Sequence, residues 1–151
     1  MVRSMEGRHP LYYEAVLQLR DVADEVVRFV KDEVVRTGLN ITKSAKVRNG
    51  YDFFCSDKDL TKALGKRLQE TFGGMFLTTA SLYTQKDGKD VYRITILFRG
   101  LPFTKGSSVM YKGDAWKIAI LGKEIYLQGQ GGKKMRVKYK DMLQIRPIRE
   151  E

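Results

Sequence analysis

The sequence has 151 residues, a formal net charge of +10, and 42% hydrophobic residues. That length predicts one domain or two small ones, and that hydrophobic content excludes a chain disordered throughout. No run approaches the ~20 apolar residues of a membrane helix, and the first ten residues lack the apolar stretch of a secretory signal, so we expect a cytoplasmic protein with no membrane partner.

The chain begins with a polar leader at residues 1–10, after which residues 11–100 predict one α+β unit. Residues 11–20 alternate in hydrophobicity as a β-strand does. Asp21 is placed to cap a helix whose valines and Phe29 recur at helical spacing, and Gly38 is typical of a helix end. This helix is rich in β-branched residues, so we expect packing to hold it.

The rest of this unit predicts a hairpin, a second helix and two further strands. Asn49-Gly50 is a strong signal for a two-residue hairpin turn. Ser56–Asp59 resembles a capping box, and Gly73-Gly74 ends the helix that follows. Residues 76–83 and 92–99 then alternate as strands. The order β-α-β-β-α-β-β matches a ferredoxin-like plan in its first six elements, and we expect the seventh to extend the sheet.

Residues 101–148 show no helical period, only short strands separated by glycine turns. The predicted strands are 108–111, 115–121, 124–128, 134–140 and 143–148, followed by a tail at 149–151. Five short strands favour a small SH3-like β-barrel over an OB-like one. A unit of this size is near the limit of independent stability, so we expect it to pack against the first unit.

The charge is concentrated in the second unit. Residues 101–151 hold 11 basic and 5 acidic side chains, whereas residues 1–100 hold 17 and 13. If 134–140 is a strand, Lys134, Arg136, Lys138 and Lys140 share one face at intervals of about 6.6 Å. Such a row favours contact with RNA phosphates; the alternative is an edge strand that uses lysine to prevent aggregation.

Other residues admit two interpretations. Lys133 closes a glycine-rich loop that is either a plain hairpin loop or one that becomes ordered on RNA, and Lys46 and Arg48 are either RNA contacts or an ordinary solvated strand face. Trp116 alternates with Ile118 and Ile120, which favours barrel core over a stacking platform. Cys55 is expected to be a buried small hydrophobe.

Metal and catalytic sites lack the residues they need. One cysteine and one histidine cannot complete a structural zinc site. The histidine, His9, lies in the polar leader, so we expect no Ser-His-Asp arrangement. We therefore expect no metal, no cofactor, no small-molecule substrate and no enzymatic activity.

Three segments, LYYEAVLQLRD, NGYDFFCSDKDLTKALGKRL and YRITILFRGLPFTKGSSV, together resemble the central region of the Nmd-three family. Its members are large ribosomal subunit biogenesis factors, known in eukaryotes as the nuclear export adaptor of that subunit. The resemblance implies partners among large-subunit ribosomal RNA and ribosomal proteins, at the subunit interface near the tRNA exit region. The family's repeated Cys-x-x-Cys pairs have no counterpart here, so its zinc binding is not carried over.

Three classes of function follow. An RNA-binding ribosome assembly factor is favoured by the charge and by the resemblance. A protein-interaction module is the alternative, with an SH3-like barrel binding an acidic partner. An enzyme comes third. Salt dependence separates the first two, because release of counterions makes phosphate binding fall steeply with salt.

Overall fold

The structure is a computed structural model that describes residues 12–148, with every side chain in that range except that of Lys86. The predicted leader at 1–10 and tail at 149–151 lie outside these residues. The first part contains β1 (Ala15–Arg20), α1 (Asp24–Thr37), β2 (Ile41–Val47), β3 (Gly50–Cys55), α2 (Lys58–Phe72), β4 (Met75–Lys86) and β5 (Lys89–Arg99). The second contains β6 (Ser108–Tyr111), β7 (Asp114–Leu121), β8 (Ile125–Gln128), a 3-10 helix (Gln130–Gly132), β9 (Lys134–Val137), a 3-10 helix (Tyr139–Gln144) and β10 (Arg146–Pro147).

The first sheet has the order β2-β3-β1-β5-β4, with β1 antiparallel to β3 and parallel to β5. A ferredoxin-like sheet extended at its edge would place β4 beside β1, but β5 takes that position and β4 forms the edge. Hydrophobicity explains the exchange: β5 buries Ile96 and Phe98 completely, whereas residues 77–85 of β4 are exposed. The mixed α+β class is confirmed, and the sheet has the fifth strand that the seventh element was expected to add. The ferredoxin-like order of the first six elements is not confirmed, because β5 and not β4 lies beside β1.

Both helices pack on the same face of this sheet. Leu17 of β1, Phe53 of β3 and Ile96 of β5 are register partners and meet the helices in one core. The helices contribute mainly Val26, Val27, Val30, Leu64 and Leu68 to that core. Cys55 is fully buried in it, as expected.

Both helices begin at other residues than the sequence suggested. The N-cap of α1 is Ala23, which makes no side-chain cap, while Asp21 has a positive φ of 53° and its carboxylate accepts from Arg99 at 2.6 Å. The N-cap of α2 is Asp57 rather than Ser56. Its Oδ1 accepts backbone N–H groups two and three residues further on, at 2.9 and 3.1 Å. Asp21 thus joins the ends of two elements instead of capping one.

Gly50 is required by a close backbone approach and not by the turn. The turn between β2 and β3 consists of Arg48 and Asn49, with Asn49 at φ 71°, so it lies one residue earlier than predicted. Gly50 already belongs to β3 and pairs with β1. A Cβ at Gly50 would lie only 1.7 Å from the carbonyl oxygen of Leu19.

The second sheet has the order β10-β6-β7-β8-β9, so its last strand returns beside its first. Within the described residues β9 pairs with β8 and β10 with β6, and no β9–β10 ladder closes a barrel. Trp116 and Ile118 are buried as predicted, but Ile120 is 54% exposed. The register shifts between Ile118 and Ile120, which turns the later side chain outward.

The predicted strand over 134–140 is wrong in its second half. β9 ends at Val137, Lys138 precedes the second 3-10 helix, and Lys140 lies inside that helix. The helix forms because Tyr139 and Met142, three residues apart, are both buried in the second core. Pairing with β6 is thereby limited to Arg146–Pro147, so the last strand is also shorter than predicted.

The two units are in direct contact. Met75 starts β4 of the first sheet, yet its side chain packs in the second core and is 6% exposed. A Cβ at Gly73 would lie 3.0 Å from Leu101 Cδ1 and 3.2 Å from Tyr139 Oη. The start of β4 therefore contributes a side chain to the core of the second unit, and the second unit contacts the first at this place.

Candidate nucleic-acid interface

The four cations predicted to form a row remain on the surface although the strand ends early. Lys134, Arg136, Lys138 and Lys140 are all exposed, whereas Met135 is half-buried and Val137 and Tyr139 are buried. The alternation continues because Lys138 keeps an extended backbone, at φ −71° and ψ 148°.

Tyr139 faces inward, on the side opposite to the cations. Its hydroxyl donates to the carbonyl oxygen of Gly122 at 2.6 Å. Burial raises the pKa of Tyr139, with a smaller contribution from nearby Tyr126, so this hydroxyl stays a protonated donor at neutral pH.

Strand pairing places further residues beside Lys134 and Arg136. Tyr126 is opposite Arg136, and Gln128 is opposite Lys134. On the other side of β8, Ile120 is opposite Tyr126 and Lys117 is opposite Gln128. We call this side of the second sheet the outer face: Lys117, Ile120, Tyr126, Gln128, Lys134 and Arg136.

The outer face contains a groove with a volume of about 620 Å³. Ile120, Tyr126 and Met135 provide its apolar lining, and Lys134 and Arg136 lie along one side. Proteins that bind single-stranded nucleic acids combine an aromatic ring with nearby cations, since bases stack on the ring and phosphates meet the charges.

The cations of the outer face are poorly neutralised. Over residues 12–148, its one ion pair joins Arg136 to Glu124 at 3.9 Å, and the Arg136 side chain is 71% exposed. An exposed pair at that distance contributes little. The positive charge therefore remains available to an anionic partner.

The structure separates two predicted RNA contacts from this surface. Lys46 lies on β2, the edge strand of the first sheet, and Arg48 lies in the turn that follows. Both are exposed, but neither belongs to the second sheet. Lys133 adjoins the outer face, directly before β9, and its carbonyl accepts from the Gly129 N–H at 2.8 Å.

Trp116 is part of the second core, as predicted, and not an open stacking platform. It is 7% exposed, and its indole N–H donates to the carbonyl oxygen of Tyr111 at 3.2 Å. Gly129 covers the ring, because a Cβ there would lie 2.9 Å from it.

Sequence reasoning missed Tyr126, Gln128 and Lys117. The available signal was the alternation of aliphatic Ile125 and Leu127 with Tyr126 and Gln128, and in the structure the first two are buried and the other two more exposed. That pattern showed an outward aromatic side chain, but only the strand pairing shows which cations lie next to it.

Chemistry other than binding has few candidates among the described residues. Burial raises the pKa of Cys55 to about 11, so its thiol is neutral and unreactive at neutral pH. Over residues 12–148 no three His, Cys, Asp or Glu side chains converge as metal ligands, and none of the described helices is long and apolar enough to cross a membrane.

The fold and the surface together define a basic α+β protein with two sheets. The family model described as "NMD3, second domain" matches residues 12–99, which is more than half of the chain. The chain belongs to the NMD3 family, a family of non-enzymatic ribosome biogenesis factors, and the resemblance noted in the sequence is confirmed over those residues. The match covers the first sheet and its helices and ends where β5 ends. No curated protein matches the chain.

Proposed function

We propose that this protein is a non-catalytic assembly factor of the large ribosomal subunit that binds ribosomal RNA and ribosomal protein at the subunit interface, near the tRNA exit region. Family membership supports the role in ribosome biogenesis. The observation that supports RNA binding is the outer face, where the exposed cations Lys134 and Arg136 of β9 lie along one side of the half-buried Tyr126. The one ion pair there among the described residues, Arg136 with Glu124 at 3.9 Å, neutralises little of their charge.

Phosphate binding explains this arrangement better than edge protection alone. β9 is an edge strand of its sheet, where lysine does discourage pairing with another chain. However, the row of cations continues through Lys138 and Lys140, beyond the end of the strand. Those two residues protect no strand edge, whereas all four can meet the phosphates of a nucleic acid.

The division of labour that we propose follows the two sheets. Residues 11–100 form the family's α+β domain, and residues 101–148 form a partly open SH3-like barrel that carries most of the RNA contacts. The return of β10 to β6 after a 3-10 helix supports this barrel. Lys46 and Arg48 would provide a separate contact on the first unit, and the protein would work in the cytoplasm.

The apolar groove also supports one alternative, a protein-interaction module that binds an acidic partner. Lys134 and Arg136 beside Ile120 and Met135 would suit a peptide that alternates acidic and apolar side chains. Such a partner would compete with RNA for the same face.

Co-sedimentation with purified large ribosomal subunits tests the proposal. Replacing Lys134, Arg136, Lys138 and Lys140 by Gln should strongly reduce the bound fraction. The matched control replaces four exposed cations of α1 and α2 by Gln, so it removes the same amount of positive charge from another surface. These cations are Arg28, Lys31, Lys62 and Lys66. We expect the control to bind as the wild type does. A wild type that does not pellet with subunits, or an equal loss in both variants, would contradict the proposal.

A further inference from the structure

We propose that the groove of the outer face holds an unpaired base of single-stranded RNA, stacked on Tyr126, while the adjoining phosphates lie on Lys134 and Arg136. The inference rests on the proposed function and deepens it, because it names the form of RNA that the face selects.

The groove has the size and lining for a flat heterocycle. Its volume of about 620 Å³ lies within the range of small-molecule sites, roughly 300–1,000 Å³. Ile120 and Tyr126 are register partners across β7 and β8, so an aliphatic and an aromatic surface adjoin. Ile120 is 54% exposed, which leaves an apolar surface uncovered until a ligand binds.

The polar groups around Tyr126 match a nucleotide. Arg136 lies directly opposite it on β9, and cross-strand partners have Cβ atoms about 4.5–5.5 Å apart, so a base on the ring would bring its phosphate within reach of the guanidinium. Gln128, two residues along β8, has both an amide donor and a carbonyl acceptor. Base edges carry both kinds of group, so a base in the groove can pair with both ends of this amide.

A duplex would leave the groove empty. In an A-form helix the bases are stacked on each other, so their faces are inaccessible and proteins contact mainly phosphates and 2′-hydroxyls. Only the cations of the outer face would contact a duplex, through its phosphates. Among forms of RNA, an apolar groove with a half-buried tyrosine can take up bases only where they are unstacked, as they are in loops, bulges and strand ends.

The test measures Tyr126→Leu against three labelled probes of about ten nucleotides each, within the usual site size. The probes are a single-stranded oligoribonucleotide, a duplex of the same length, and an oligomer of abasic riboses that keeps the phosphates. We expect the variant to bind the single strand roughly 5- to 150-fold more weakly, the effect of losing one stacked base. Affinity for the duplex and the abasic oligomer should stay unchanged, and Tyr126→Phe should restore binding.

A second pair of variants tests the groove without changing Tyr126, in case the substitution of Tyr126 disturbs folding. Ile120→Asp places a carboxylate in the groove, and Leu143→Asp adds the same charge at a 60% exposed position of the second unit that does not line it. We expect only Ile120→Asp to weaken the single strand by more than the charge change alone.

Three results would overturn the inference. They are an equal loss for the single strand and the abasic oligomer, no loss for any probe with Tyr126→Leu, and tighter binding of an acidic, apolar peptide that competes with RNA. If Tyr126→Leu is silent but the quadruple Gln variant loses all probes alike, the base site is wrong and the proposed RNA binding stands. If the quadruple variant changes nothing, the proposed function itself is wrong.

Discussion

Replacing Met75 by Ala should destabilise the second unit, although Met75 belongs to a strand of the first sheet. Its side chain packs in the second core and is 6% exposed. Burying a side chain of this kind is worth about 1.5–3 kcal/mol, and a cavity adds to the loss, for a total of about 2–5 kcal/mol. Met75 lies where the two units meet, so the residues around the new cavity can partly relax into it. We therefore expect a loss of about 2–3 kcal/mol in the free energy of unfolding of the second unit.

Two spectroscopic probes report the two units separately. Trp116 is the only tryptophan in the sequence and is buried in the second core, so its fluorescence follows that unit. Both described α-helices belong to the first unit, so far-ultraviolet circular dichroism follows mainly α1 and α2. With a urea m-value of about 2 kcal/mol/M, Met75→Ala should lower the midpoint of the fluorescence transition by about 1–1.5 M.

The matched control is Met110→Ala, the same substitution at a 38% exposed position of β6. We expect that change to alter stability by less than about 0.5 kcal/mol. If Met75→Ala shifts the dichroism transition and leaves the Trp116 fluorescence transition in place, Met75 does not support the second core. The packing of the two units described above would then be refuted.

Three further predictions follow from single interactions. Gly50→Ala should prevent native pairing of β3 with β1, because its Cβ would overlap the Leu19 carbonyl oxygen at 1.7 Å, and a protein that melts like the wild type would contradict this. Asp57→Ala removes the cap of α2 and should cost about 1 kcal/mol in urea unfolding, whereas Asp57→Asn should cost less. Cys55 should react with a thiol reagent only after unfolding, and since its pKa is raised from 9.0 to about 11, its contribution to stability should be full below pH 9 and decline between pH 9 and about 11. Rapid labelling of the native protein at neutral pH would contradict the last prediction.

The sequence predicts the elements of the fold well because hydrophobic periodicity is a local property. Helix α1 is ended by Gly38, which has a φ of 73°. Each strand of the first unit overlaps its predicted range, although β1 starts only at Ala15 and β4 continues to Lys86. Strand order is not local. Whether β4 or β5 lies beside β1 depends on which strand buries more apolar surface there. That comparison involves both strands together, and β5, with Ile96 and Phe98 fully buried, occupies the position beside β1.

The candidate site was predictable in its charges and not in its shape. The alternation of Lys134, Arg136, Lys138 and Lys140 with apolar residues correctly gives four exposed cations. The alternation does not reveal that Lys140, the last of these cations, lies in a 3-10 helix. Val137 and Tyr139 keep the two-residue spacing of a strand, and the three-residue spacing of the helix begins only with Tyr139 and Met142. The place of Tyr126 opposite Arg136 depends on pairing between β8 and β9, which no local pattern contains.

The salt dependence of RNA affinity tests the central claim most directly. The slope of log K against log salt reports how many phosphates a protein neutralises, and it is measured for the wild type, the quadruple Gln variant and its matched control on α1 and α2. We predict that the quadruple Gln variant binds many RNA sequences more weakly and to a similar degree, since phosphate contacts carry little sequence information. Its slope should flatten by up to about 0.7 for each phosphate of a single strand that it no longer neutralises. The control should keep the wild-type slope. A quadruple Gln variant with unchanged affinity and slope that aggregates instead would show that these cations protect a strand edge, and would contradict the account.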